Sequence, residues 1–175
     1  MLLSPATCFV LDDGAGRAVG YIIGTSSTTQ FIEKWKKDFI PTVDDQIVPK
    51  PDASTEDELM NRDNVKNLRK SVYSGECSML QSFPDLLEKY PAHLHVDILP
   101  EFQNKGHGKK LIDTFLHNIQ ELEAGGVHLG MLASNENARR FYERLGFQLC
   151  DAVLDDGDSG EVGRHGHAIC LVKRL

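Results

Sequence analysis

The chain has 175 residues, a net charge of -7, 41% hydrophobic and 26% charged residues, which fits one globular domain burying roughly two thirds of its unfolded surface. No apolar run approaches the roughly 20 residues of a membrane span. The acidic balance argues against broad nucleic-acid binding, which needs a basic face toward the phosphates. It suits a cationic acceptor such as an amine, and equally suits plain solubility.

Met1-Leu-Leu is followed at once by Ser4 and Pro5, with none of the basic residues that open a signal peptide. Cys8, Cys77, Cys150 and Cys170 lie far apart and form no CxxC pair, so a reducing compartment, cytoplasmic or nuclear, is expected. Thr7 to Leu11 and Ala18 to Thr25 are β-rich runs joined by Asp12-Asp-Gly-Ala-Gly-Arg17, a hairpin signal. Gly14, Gly16 and Gly20 do not make a dinucleotide fingerprint, because the spacing is wrong and the turn opens into a strand.

Ser26 to Tyr90 is a long, partly helical stretch. Phe31, Ile32, Trp35 and Phe39 form a helical stripe that reads as core packing before ligand box, and Pro41 stops it. Pro49-Lys-Pro51 opens a loop, and Thr55 with Glu58 predicts a capping box on a helix through about Lys70. Pro84 suits the first turn of a helix ending near Tyr90.

His93 to Leu99 alternates, Leu94, Val96 and Ile98 on one face and His93, His95 and Asp97 on the other. Pro100 ends the strand. A helix follows from Lys109 to Leu122, its apolar residues at helical spacing, with Gly125 and Gly126 as the stop. Between them, Gln103-Asn-Lys-Gly106-His-Gly108 can turn backbone N–H groups inward at the positive end of a helix, with Lys105, Lys109 and Lys110 near enough to screen phosphate charge. A glycine pair before a helix is also an ordinary turn.

Val127 to Ala133 reads as a strand, and Ser134 to Leu145 as a short helix carrying Asn135, Ala138, Phe141 and Tyr142 before Gly146-Phe147. Phe147 to Leu154 and His167 to Val172 are strand-like around an acidic, glycine-rich loop, Asp155 to Gly163. His93-x-His95, and His165-x-His167 with Cys170, have ligand chemistry but no matching second cluster, so no metal site is expected.

The strand–turn–helix at His93 to Leu111 and the Asn135-x-x-Ala138…Tyr142…Gly146-Phe147 helix match, in order and spacing, two motifs of the GNAT N-acetyltransferase family, and the chain resembles that family across roughly residues 92 to 149. The resemblance implies an α/β (α+β) fold. Its sheet would be mixed and mostly antiparallel, twisted, with a parallel, splayed central strand pair and flanking helices. It also implies one domain over residues 1 to 175 with a helical insertion at 26 to 90. Only six residues precede Thr7, so the family's first strand and two helices are expected to be missing, and the insertion to wall the acceptor site in their place. The segment Phe31 to Pro41 followed by His93 to Asp97 is also similar to the acetyltransferase-like domain of eukaryotic O-GlcNAc hydrolases.

By the same resemblance the cofactor is acetyl-CoA. Val96, Ile98 and Leu99 would meet its pantetheine arm, and Gln103, Asn104, Lys105, Gly106, His107, Gly108 and Lys109 its pyrophosphate. Asn135 and Ala138 would lie along the arm, and Tyr142 would protonate the departing thiolate. Tyr142 also falls on the buried face of its helix. For the base, Asp97 ranks before His95, with His93 on the same strand face, each with the competing reading of a polar group satisfied by its neighbours. The expected activity is acetyl transfer to a primary amine, small-molecule or peptide, by direct attack in a ternary complex. The alternative is a noncatalytic acyl-CoA-binding or protein-interaction module. An uncovered sheet edge at the N-terminus would be a natural site for homodimer pairing.

Overall fold

The computed structural model describes residues 3–74, 83–153 and 168–175. Its centre is a six-stranded sheet, ordered β1-β2-β3-β4-β6-β5. In chain order β1 is Phe9–Asp12, β2 Ala18–Thr25, β3 Ala92–Ile98, β4 Gly126–Leu132, β5 Gln148–Val153 and β6 Ala168–Arg174. All neighbours pair antiparallel except β3 and β4, which are parallel. This is the mixed sheet expected from the sequence. The hairpin between β1 and β2 closes on its own aspartates, Asp12 Oδ1 accepting from the Gly14 amide at 2.7 Å and Asp13 Oδ1 from the Ala15 amide at 2.9 Å.

The parallel pair needs a long crossover, and α4, His107–Glu121, supplies it. Leu111, Ile112, Phe115, Leu116 and Ile119 make its buried stripe, packed on Ile22 of β2, Leu94 of β3 and Val127 of β4. Phe115, Ile112 and Ile119 are fully buried, each contributing about 1.5–3 kcal/mol from area removed from water. The short helix α5, Glu136–Arg144, adds Tyr142 to the same core.

The segment before β3 holds α1 (Thr28–Lys34), α2 (Asp63–Tyr73) and α3 (Pro84–Lys89). Pro84 lies in the first turn of α3, as expected. α1 is capped by Ser27 and passes into a wider π-type turn at Trp35–Phe39, then a 3-10 turn at Ile40–Thr42 containing Pro41. Phe31, Trp35 and Phe39 stack in series, with ring centroids 5.7 and 4.2 Å apart.

The helix expected from Thr55 starts later. Thr55 Oγ1 accepts from the Asp57 amide, Asp57 Oδ1 from the Leu59 amide and Asp44 Oδ1 from the Gln46 amide, so short side chains close a run of turns instead. α2 begins only at Asp63. Its Arg69 is 2% exposed and donates to the carbonyls of Pro49, Lys50, Ala53 and Met60. Tyr73 donates to the Val48 carbonyl at 2.6 Å, and the Trp35 indole to the Val72 carbonyl at 3.1 Å. A buried guanidinium has five donors to satisfy, and here the preceding loop wraps around it. The expected loop at Asp155 to Gly163, the His165-x-His167 pair and Cys77 lie outside the described residues.

Candidate functional site

The site starts at a seam in the sheet. β3 and β4 pair at Ala92 with Val127 and at His93 with His128, and there the ladder stops. β3 runs on to Ile98 and β4 to Leu132. Beyond His93 the two strands part, leaving the β4-facing backbone edge of β3 without a strand partner. Val96 and Ile98 face the α4 side and are half-buried, while Leu99 is exposed.

At the open end of the seam lies the glycine turn. Asn104 has φ 58° and Gly106 φ 84°, the left-handed region that costs most residues free energy and glycine little. That turn starts α4 at His107 with no side chain capping it. The first amides of the helix are therefore free to meet an anion, with the helix dipole behind them. A Cβ on Gly108 would stand 3.2 Å from the Phe141 ring and 3.7 Å from Ile98 Cδ1, so α4, α5 and β3 converge on that glycine. No such contact constrains Gly106, whose requirement is its φ.

The side chains around the turn are engaged locally. Gln103 Nε2 donates to the Ile98 carbonyl at 2.8 Å, and Lys109 pairs with Asp113 on the next turn of α4. The Lys105 ammonium lies 5.3 Å from the Phe102 ring centroid and the Arg17 guanidinium 5.7 Å from the same ring, with Arg17 also 3.7 Å from Glu101. Arg17 thus brings the β1–β2 hairpin against Glu101 and Phe102, just before the glycine turn.

Tyr142 and Asp97 are the site's titratable groups of interest. Tyr142 is 8% exposed, packed on the rings of Phe141 and Phe147 at 5.2 and 5.4 Å. Burial first, then the negative charge of Asp97, pushes its phenol up to about 12. It stays protonated at neutral pH. Asp97 is exposed, with its Oδ2 3.5 Å from His95 Nε2 and 3.5 Å from the Tyr21 hydroxyl. Burial, and then Asp97, raises the Tyr21 phenol as well. Tyr21 and Asp97 are register partners across β2 and β3, so Tyr21, His95 and Asp97 share one sheet face.

His93 does not join them. Its Nδ1 lies 2.8 Å from Thr28 Oγ1, its ring meets Phe31 edge-on at 5.6 Å, and burial together with His128 pushes its pKa down to about 3. His128 lies 5.7 Å from it between ring centroids and makes a 2.7 Å contact from Nδ1 to the Tyr90 carbonyl. A carbonyl only accepts, so His128 carries its hydrogen on Nδ1. Burial pushes its pKa down too. Both rings are neutral struts at the foot of the seam, and α1 packs over that foot through Phe31.

Asn135 is the N-cap of α5, its Oδ1 accepting from the Ala138 amide at 3.2 Å, and Ala138 packs on the main core. The structure therefore brings the open end of β3, the start of α4 and the α5 helix that carries Tyr142 together at Gly108, with Asp97 and His95 on one face of β3 and Asn135 at the N-terminus of α5. Sequence reasoning missed Tyr21, Thr28 and His128. Tyr21 becomes a neighbour of Asp97 only through strand pairing across the long insertion, and His128 lies within an apolar strand pattern.

The donors of the turn and the strand edge fit a ligand with a pyrophosphate and an amide-bearing arm. A family profile described as "Acetyltransferase (GNAT) domain" matches residues 72–149. The solved structure of SsHAT is 32% identical, with a TM-score of 0.74, covering 97% of this chain and 73% of that one. Naa20 of Chaetomium thermophilum, solved with a bisubstrate analogue, has a TM-score of 0.54 at 18% identity over 98% of this chain and 67% of that one, a likeness of fold. Protein O-GlcNAcase of Rattus norvegicus is 24% identical over 144 residues, which are 82% of this chain and 15% of that protein's length.

Proposed function

The chain belongs to the GNAT acetyltransferase family, and from that premise we propose that it uses acetyl-CoA to acetylate a primary amine held on the open face of β3. The observation that carries this is the seam itself. β3 leaves β4 after His93, the uncapped amides of α4 lie at the open end, and Tyr142 and Asp97 stand close enough for the carboxylate to move the phenol's pKa.

Bound there, acetyl-CoA supplies an activated acetyl thioester. The edge at Val96, Ile98 and Leu99 would hold the pantetheine arm, and a backbone N–H near Ile98 would face the acetyl oxygen, a donor of the kind worth on the order of 10² to 10³ in rate. Gln103, Asn104, Lys105, Gly106, His107, Gly108 and Lys109 would receive the pyrophosphate, chiefly through backbone N–H groups. The lysines would first have to leave Phe102 and Asp113. Asn135 has its amide nitrogen to offer the arm while its oxygen caps α5. Tyr142 keeps a proton on its hydroxyl for the leaving sulfur. Asp97 takes a proton from the incoming ammonium, directly or through water, with His95 beside it.

The acceptor is a small or peptide amine. Phe31 of α1, packed on His93, supports the insertion as one wall of its site. The test is calorimetric titration with acetyl-CoA and with CoA, followed by acceptor screening with polyamines, aminosugars and lysine peptides. Micromolar binding with transfer to one class supports the proposal. Binding without transfer to any amine would leave a noncatalytic CoA-binding module. Gly108→Glu places a carboxylate where α4, Phe141 and Ile98 converge. It should weaken CoA binding at least tenfold with the circular dichroism spectrum retained, and unchanged affinity would remove the turn from the site.

A further inference from the structure

Cys150 and Cys170 are far apart in sequence, yet β5 and β6 bring them to the same rung as register partners. Cys170 is fully buried and Cys150 half-buried, and Cys150 packs, with Phe83, Leu86, Leu87 and Tyr90, against the small core formed by Cys170 and Val172. Directly opposed residues of an antiparallel pair have Cα atoms about 4.5 or 5.5 Å apart, and disulfides span about 4.4–6.8 Å, so the rung already has disulfide geometry at the backbone. The ladder also shifts register just beyond Cys150, which gives β5 local freedom to adjust. The third described cysteine, Cys8, lies just before β1 at the opposite edge of the sheet, out of reach of either.

We propose that Cys150 and Cys170 form a reversible cross-strand disulfide by exchange with a low-molecular-weight disulfide such as oxidised glutathione. Cys150 is the more accessible thiol and meets the reagent first. Its sulfur attacks one glutathione sulfur, the glutathione S–S bond breaks, and one glutathione leaves as thiolate. Cys170 then attacks the Cys150 sulfur and expels the second. The two protein thiol protons end on the two glutathiones, the protein pair is oxidised by two electrons and the glutathione disulfide reduced by two. Burial first, and then the neighbouring Cys150, push the Cys170 thiol up to about 12; the burial persists once Cys150 is a mixed disulfide, so the second step is the slow one.

The bond would tie the edge strand β5 to β6. Cys170 also faces Gly130 of β4, in the part of β4 that has left β3, so oxidation would stiffen the strand behind the seam. The inference rests on strand register and stands apart from the acetyltransferase reading.

The full chain, carrying Cys77→Ser so that no reactive thiol lies outside the described residues, is equilibrated in glutathione buffers of rising oxidised fraction, alkylated, digested and weighed. Expected is a linked pair of peptides containing Cys150 and Cys170, lighter by two hydrogens, and restored by reductant. Cys170→Ala should instead accumulate glutathione on Cys150, and Cys150→Ser should give no link. A stable glutathione adduct on Cys150 of the parent chain, or free thiols at both positions in fully oxidised buffer with the fold intact, would overturn the proposal. CoA affinity, measured separately, reports on the other reading.

Discussion

At the scale of single residues, Tyr142 separates packing from chemistry. Its ring is held by Phe141 and Phe147, and its hydroxyl makes no hydrogen bond among the described residues. Tyr142→Phe keeps the ring contacts and removes the hydroxyl proton assigned to the leaving sulfur. Turnover is expected to fall by on the order of 10², with CoA affinity and thermal midpoint nearly unchanged. A lowered midpoint with intact turnover would make Tyr142 a core residue alone. His93 shows the reverse case, since alternation puts it on the same strand face as His95 and Asp97, yet Thr28 and Phe31 cover it. What distinguishes these three side chains is the element laid over them, which a strand pattern does not reveal.

At the scale of elements, Asn135 has a capping oxygen and a separate amide nitrogen. Asn135→Ala should cost about 1 kcal/mol in urea unfolding through loss of the α5 cap. Asn135→Asp should restore most of that stability, because a carboxylate also caps. If the amide donates to the pantetheine arm, CoA affinity will stay low in both variants; if affinity follows stability, Asn135 only caps. The stretch from β3 through α5 was legible in the sequence because its evidence is local: alternation in His93 to Leu99, a helical stripe from Leu111 to Ile119, glycines at the turns. The insertion was less so. Asp44, Thr55 and Asp57 spend their side chains on turns, and the buried Arg69 gathers four carbonyls of the preceding loop. Neither Tyr21 beside Asp97 nor Cys150 beside Cys170 was visible, since pairings across long connections leave no periodic trace.

At the scale of the whole molecule, the two struts at the foot of the seam tie stability to pH. The native pKa of His93 is about 3 and that of His128 is lowered, whereas both titrate near 6.5 when unfolded. Above that value neither form takes up a proton and the pair contributes nothing. As pH falls below it the unfolded chain gains protons that the native protein refuses, so stability falls progressively toward pH 3. The slope approaches about 1.4 kcal/mol per pH unit for His93, and the lowered pKa of His128 adds to it in the same direction. Urea midpoints between pH 7.5 and 5 sample this window before most carboxylates titrate. His128→Gln should flatten the decline, and an equal slope in both proteins would exclude His128 as a source of it. The same place has a mechanical meaning. Because β3 and β4 share only the rungs at Ala92 and His93, the sheet is two leaves, β1-β2-β3 and β4-β6-β5, joined along a short spine. A molecule lodged between the leaves acts as further spine, so the rigidity of the protein becomes a readout of whether that gap is filled.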